Sequence, residues 1–434
     1  MFRALNPLYR NDAPGAFPAS WYAETADIPP LRDPLRGNTR ADVVIVGAGF
    51  TGLTCALELA RAGVDVVVID AHRAGFGASG RNGGQCGSGF NMGQRELARA
   101  LGRETAADLW SLAEEAKDMV RTFCAARAPE ARYMPGVAHG VWRASERRAL
   151  EEEAEFLEAE YGYKENELLD THAFQSLVRS PVYQGGILDN GAGHLHPLRY
   201  CLALAREAEA AGVRIHERSE AKEIADGRIL TPDGTVEADH IVLAGNGYLP
   251  ALNNRYSARV CPINSFIAAT EPLDDPRAII ASDIAVADDR FVVNYFRLSE
   301  DNRLLFGGRE NYGIGFPKDI TTRLRQRMLH LFPQLKDTRI DHVWGGTLGI
   351  TMTRVPLVAE LEPGLWAAGG FSGHGVALTA IAGRALSQAI QGDRARLKTL
   401  ATLPTPTFPG GARLRAPLLT LAMTWYAARD RFGL

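Results

Sequence analysis

Three glycine-rich stretches carry the chemistry of this chain. The first, Gly47-Ala48-Gly49-Phe50-Thr51-Gly52, fits G-x-G-x-x-G. It follows the apolar run Asp42–Val46, read as a strand buried on both faces, and leads into a helix over Ala56–Arg61. In that setting Gly47 permits a tight turn, Gly49 lets the backbone approach a pyrophosphate, and Gly52 allows close helix–strand packing. The helix N-terminus offers unpaired N–H groups and a positive dipole end to phosphates. Val64–Ile69 reads as a second buried strand. It ends at Asp70, 18 residues after Gly52. A carboxylate there accepts hydrogen bonds from two ribose hydroxyls and repels a 2′-phosphate, which disfavours NADP. The fingerprint itself does not choose between NAD and FAD.

The second stretch is Gly75-Phe76-Gly77-Ala78-Ser79-Gly80-Arg81-Asn82-Gly83-Gly84-Gln85. Small residues in such density form no core element. They form a loop whose backbone passes close to a flat ring or a phosphate. A flexible linker is the alternative, disfavoured by the loop's place directly after the ribose acid. The third stretch, Trp366-Ala367-Ala368-Gly369-Gly370-Phe371-Ser372-Gly373-His374-Gly375, repeats the order strand, glycine turn, helix start. A long cofactor lying across one domain uses two helix N-termini, one at the diphosphate and one at the ring. The positive end near Gly373–Gly375 suits the negative charge of a reduced flavin. A plain tight turn capped by His374 is the competing account.

At these residues the sequence resembles the D-amino acid oxidase (DAO) superfamily of FAD-dependent oxidoreductases. Within it the chain is most similar to the gamma-glutamylputrescine oxidase group. Four further stretches carry that likeness: Ser20-Trp21-Tyr22, Gly193-His194-Leu195-His196-Pro197-Leu198, Arg303–Gly308, and the tail from Phe408-Pro409-Gly410-Gly411 to Trp425-Tyr426 and Arg429-Asp430. The resemblance implies non-covalent FAD. Relatives that attach flavin through cysteine carry one shortly before the C-terminal glycine turn, and no cysteine follows Cys261 here. Relatives that attach it through histidine carry that residue where Arg81 stands. The expected cofactor residues are Gly47, Ala48, Gly49, Phe50, Thr51 and Gly52, then Asp70 and Ala71. Gly77, Ala78, Ser79, Gly80, Arg81, Asn82, Gly83, Gly84 and Gln85 follow in the loop, and Gly373, His374, Gly375 and Val376 at the third stretch. The resemblance adds Ala221, meeting the adenine through its backbone, and Ala244-Gly245 along the cofactor.

The implied reaction is oxidation of an amine C–N bond by hydride transfer to flavin N5. The imine then hydrolyses to an aldehyde and an amine or ammonia. The expected partners are a small-molecule amine of the γ-glutamylated or polyamine type, and O2 or another electron acceptor. A small amino acid such as glycine, sarcosine or a D-amino acid is the alternative substrate. A flavin-binding redox sensor without turnover is the alternative from another class. This chemistry needs no dedicated base, because the flavin carries the difficult step. Candidate pocket residues are Tyr295, Phe296, Arg309 and Trp344. Along Asn294-Tyr295-Phe296-Arg297, alternation sends Tyr295 and Phe296 to opposite faces. Arg309 and Glu310 suit a substrate carboxylate and amine, or equally a surface ion pair. Trp344 is a pocket wall or a core residue. Arg354-Val355-Pro356, between the C-terminal glycine segments, is a further approach to the flavin. None of the six lysines falls in a segment placed over the ring, so oxidase and dehydrogenase both stay open. No metal site is expected, since His194, His196 and His374 lack ligand spacing.

The rest of the chain must position these stretches. The 434 residues carry 48 Lys+Arg against 51 Asp+Glu, so no basic excess exists for nucleic acid. The N-terminus lacks the apolar region of a signal peptide, and the five scattered cysteines form no Cys-x-x-Cys; a cytoplasmic protein is expected. No apolar run reaches a membrane span, the longest being Ala416–Ala428. Helices are expected over 94–127, 145–160, 197–211, about 320–331 and 373–390. Buried strands are expected over Asp239–Ala244 and Leu365–Ala368, and alternating antiparallel strands over Phe291–Arg297 and Arg303–Phe306. The fold class is α/β, α+β overall: a Rossmann-like FAD-binding domain with an interleaved antiparallel-sheet substrate domain. The expected division is a lead-in over 1–40, FAD-binding segments 41–134, 182–258 and 345–391, substrate segments 135–181 and 259–344, and a C-terminal tail over 392–434. Of the 44 glycines, 21 fall within 47–93 and 345–383, the expected two ends of one site.

Overall fold

The computed structural model describes residues 7–225, 227–249, 252–290, 292–311, 315–412 and 415, with the backbone alone at Arg309 and Glu310. Among these residues the chain builds two sheets. In the first, Gly37–Val46 lies between Val66–Ile69 and Gly234–Leu243 and runs parallel to both. Arg214–His216 and Leu365–Gly369 extend the parallel sheet, and Leu357–Glu362 adds an antiparallel edge.

Alternate side chains of the central strands enter different cores. Val43, Ile45, Val66 and Val68 pack against the helices Phe50–Arg61, Pro197–Ala210 and Gly375–Ile390. Val44, Val46, Val67 and Ile69 pack on the other face with Ile229, Val236 and Leu357. Burial on both faces explains why these strands read as unbroken apolar runs. Each such valine contributes on the order of 1.5–3 kcal/mol relative to an exposed one.

The second sheet runs in the order Ile340–Ile350, Cys261–Thr270, Leu304–Asn311, Tyr295–Leu298, Ala285–Asp288, Met134–Gly140, Gly186–His194, Gln85–Cys86. Its pairings are antiparallel except between Ala285–Asp288 and Met134–Gly140. The helix Thr321–Leu331 covers one face over Phe266, Phe296, Phe306 and Phe332. Gln85–Cys86 and Gly186–His194 belong to this sheet, although the sequence reading groups both with the FAD-binding segments. The loop after Asp70 therefore runs straight from one sheet into the other.

Several element bounds differ from expectation for local reasons. The helix over 56–61 starts earlier, at Phe50. Its first turns are buried all round, so no periodicity marks them. The helix over 94–127 is two helices, parted at Gly102, whose φ of +88° no other residue type adopts readily. The lead-in is not simply extended. It holds helices Pro7–Arg10 and Trp21–Thr25, and Trp21 and Tyr22 are buried against Leu198 and Trp344. Ala416–Ala428 lies outside the described residues. Among the described residues no helix is long and apolar enough to cross a membrane.

Candidate active site

A cavity of about 670 Å³ opens at the carboxyl ends of Gly37–Val46 and Val66–Ile69 and reaches the second sheet. Ligands of open parallel sheets bind at such strand ends. At the near end the chain turns at Gly47, φ +113°, where a side chain would press on the Ala244 backbone at 2.9 Å. A Cβ at Gly52 would collide with the Gly47 carbonyl oxygen, so turn and helix pack at backbone distance. The first helical turn leaves N–H groups without intrahelical partners. Of these, the Phe50 N–H donates to Ser79 Oγ (3.0 Å), which brings the second glycine loop against the helix start.

Asp70 lines the cavity beside this turn. Its Oδ2 accepts the Ala48 N–H (2.9 Å) and its Oδ1 the His72 N–H (2.8 Å). Burial raises its pKa to about 6; the two N–H bonds oppose the rise, and nearby Glu217 adds to it. Glu217 is itself fully buried, accepting from the Arg32 guanidinium (2.9 Å) and the Ala74 N–H (2.9 Å). Next to Asp70, His72 stacks on Phe76 with ring centroids 3.6 Å apart. Its Nδ1 accepts the Gly15 N–H (3.1 Å), which leaves Nε2–H to donate to the Leu8 carbonyl (2.6 Å). Burial lowers its pKa to about 4, so the ring is neutral. Tyr9 donates to Glu220 (2.5 Å), and Arg81 pairs with Asp12 (2.9 Å). Residues 8–15 thus form a strap over the site, and Leu8 reaches the cavity itself.

At the far end the helix Gly375–Ile390 points its N-terminus into the cavity. It approaches Phe50–Arg61 closely at Gly383, where a Cβ would stand 2.8 Å from the Thr51 carbonyl oxygen. The two helices therefore present two positive ends to one space. His374 packs on Gly87, its Nε2 lying 3.2 Å from the Gly89 carbonyl. Asn91 Nδ2 reaches the carbonyls of Ser372 (3.0 Å) and Arg354 (3.3 Å). Ser372 and Arg354 both hold positive φ, +54° and +64°, a strain that the surrounding contacts must hold. Behind this loop, buried Lys117 donates to Ser88 (2.5 Å) and Tyr163 (3.0 Å), and both hydroxyls donate on to Asp189.

The sequence matches the family described as "DAO: FAD dependent oxidoreductase" over residues 42–389. The chain belongs to the DAO family. It is similar to "Probable oxidoreductase OrdL" of Rhizobium meliloti (strain 1021), with 42% identity covering 95% of this chain and 97% of that protein. It is also similar to "Gamma-glutamylputrescine oxidoreductase" of Escherichia coli (strain K12), with 36% identity covering 96% and 99%. Among solved structures, glycine oxidase from Geobacillus kaustophilus shares the fold. Its TM-score is 0.66 at 22% identity, covering 81% of this chain and 95% of that one. The protein is accordingly an FAD-dependent oxidoreductase with a Rossmann-like domain.

The cavity of this DAO-family enzyme gathers most of the residues expected at the cofactor. Gly52, Gly80 and Gly84 do not line it. Side chains there would strike the carbonyls of Gly47, Gly75 and Leu195 respectively, so these glycines shape the loops from behind. Of the pocket candidates, Tyr295 lines the cavity. Phe296 does not: it faces the opposite core, its ring 6.0 Å from Phe306 and 5.1 Å from Phe332. Trp344 does not either. It is buried and donates from Nε1 to the Arg81 carbonyl (3.0 Å), bracing the loop. The side chain of Arg309 lies outside the described residues. Arg354 does reach the cavity, as do Asn91, His139, Asp288 and Ser372, which the sequence reading did not place there. Among the described residues no cluster of His, Cys, Asp and Glu is arranged to hold a metal.

The residues present fit FAD. The donor set suits a diphosphate at the first helix end and a ribose at Asp70. Tight glycine cradles stand where side chains would fill the space, and the cavity continues to a second positive helix end. All five cysteines are buried, and none lines the cavity.

Proposed function

We propose that this enzyme oxidises an amine C–N bond of γ-glutamylputrescine or a related polyamine-type amine. The product imine hydrolyses to an aldehyde and an amine or ammonia. The observation that carries this reading is the likeness to the E. coli protein named for that substrate, which extends over almost the whole of both chains.

FAD, bound non-covalently, supplies the two-electron acceptor. The chain's own residues do the remaining work. Gly47–Thr51 and the helix start would hold the diphosphate, with Gly52 shaping the turn from behind; Asp70 would hold the ribose, and Ala221 and Ala244-Gly245 would meet the nucleotide. Arg81 spends its guanidinium on Asp12 and on the carbonyls of Phe76 and Gly345, fixing the loop. The positive helix end at Gly375 would favour a negatively charged group bound in this part of the cavity. Tyr295 walls the opposite side. Orientation of the reacting carbon is the main service the pocket performs.

Arg354 supports a second reading. Arg354 lines the cavity, and an arginine there would suit an α-carboxylate, as in a small amino acid. Anaerobic mixing of the holoenzyme with γ-glutamylputrescine, putrescine, sarcosine and D-alanine separates the two. Flavin bleaching by the first pair supports polyamine oxidation, and bleaching by the second pair alone supports the rival. An enzyme bleached by none of them refutes both and leaves a flavin-binding sensor.

A further inference from the structure

One cavity residue has a polar ring and no internal use. His139 lies on the strand Met134–Gly140, in register with Ala287, and Ala287 is in register with Tyr295. Cross-strand neighbours share a face, and these three side chains line the same cavity. The His139 ring is enclosed by protein yet open to the cavity. It makes no hydrogen bond among the described residues.

The neighbouring groups are committed elsewhere. Asp288 Oδ1 accepts the Asn294 N–H (2.8 Å), and its Oδ2 accepts from Trp142 Nε1 (2.9 Å) and Asn294 Nδ2 (2.5 Å). The Tyr295 hydroxyl shares a hydrogen bond with Ser265 (3.2 Å), and its ring rests on Gly83 and Gly307. Burial disfavours the charged form of His139, and Asp189 only partly opposes this. His374 stands close enough to interact with it electrostatically, placing His139 beside the helix end of the third glycine stretch.

Two strand spacings, about 10 Å, separate His139 from Tyr295. Ala287 offers only a methyl group between them. The row is therefore a slot with an acceptor nitrogen at one end, an aromatic wall at the other and a small floor. We propose that His139 is the substrate-contacting residue that accepts the amine N–H, and that Ala287 sets the slot's width for an unbranched amine. This rests on the amine reading above, and the experiment distinguishes the two failures.

The test uses FAD-loaded wild type and the variants His139→Ala, His139→Asn and Ala287→Leu, each checked for wild-type melting temperature and flavin spectrum. Putrescine and γ-glutamylputrescine are titrated anaerobically. Binding is read from the perturbed spectrum of oxidised flavin, and turnover from bleaching. Loss of one hydrogen bond should weaken binding to His139→Ala about tenfold. His139→Asn, which keeps an acceptor, should recover most of it, and Ala287→Leu should block saturation. Wild-type binding by His139→Ala overturns the inference, whether or not the wild type is bleached. Amine binding that depends on His139 but produces no bleaching upholds the inference and overturns the oxidation reading. An absence of any amine perturbation in the wild type overturns both.

Discussion

His72 gives the strap a pH limit. In the folded protein its pKa falls from 6.5 to about 4 because the ring is buried; the bond to the Leu8 carbonyl and the nearby Asp12 oppose the fall only in part. A depressed folded pKa stabilises above the unfolded value and loses that contribution as pH falls through the folded one. The full difference corresponds to about 3.4 kcal/mol, complete below pH 4. At pH 5 about 2 kcal/mol of it is already lost. For a chain of this size that is roughly a 2 °C drop in melting temperature. Asp70, whose folded pKa is raised to about 6, works in the opposite direction over part of the same range. The clean measurement is therefore a difference. His72→Gln keeps a donor and an acceptor but does not titrate. Its melting temperature, subtracted from that of the wild type, should be constant from pH 7 to 8. It should then move by about 2 °C in the variant's favour by pH 5. Limited proteolysis within residues 8–15 should rise over the same interval in the wild type alone. A difference that stays flat from pH 8 to pH 5 refutes the buried neutral imidazole.

Other positions give sharper, simpler outcomes. Gly52→Ala drives a methyl into the Gly47 carbonyl, and should yield protein that retains no FAD after gel filtration. Replacing all five cysteines by serine or alanine should leave flavin fully extractable by acid precipitation, as in the wild type; flavin retained in the wild-type pellet would contradict non-covalent binding. Lys117→Met leaves Glu114, its ion-pair partner at 2.9 Å, without its cation and removes the donor to the Ser88 and Tyr163 hydroxyls; it should cost on the order of 3–5 kcal/mol, measured by denaturant unfolding. Arg297→Met removes bonds to the carbonyls of Gly83 (3.0 Å) and Leu195 (3.1 Å) and should weaken FAD retention, read by flavin fluorescence.

The cofactor end was legible because its requirements are local. A turn at positive φ, a helix start and a strand-end acid sit within one short stretch, and each demands a residue type. The substrate end was not legible for a physical reason. Alternation separates Tyr295 from Phe296, but which face meets the cavity depends on where Thr321–Leu331 packs. His139 stands beside Tyr295 only through the pairing of Met134–Gly140 with Ala285–Asp288, strands nearly 150 residues apart. Asn91 carries no motif; its value lies in the strained carbonyls of Arg354 and Ser372 that it reaches. The early start of the first helix was hidden by burial on every side. Glu217 left no signal either, since a buried acid reads in sequence like a surface one.

The contact at Gly383 has a consequence for how the protein is made. The helix Phe50–Arg61 finds its partner in Gly375–Ile390, about 330 residues later. At roughly 10 residues per second a ribosome needs about half a minute to cover that distance. Throughout that interval the first glycine turn exists without the second, and an apolar helix face waits uncovered. A nascent chain or a truncated product ending before residue 375 carries the fingerprint without the second helix end that lines the cavity. Incomplete chains therefore present to the cell's folding machinery the surface of Phe50–Arg61 that Gly375–Ile390 would have covered.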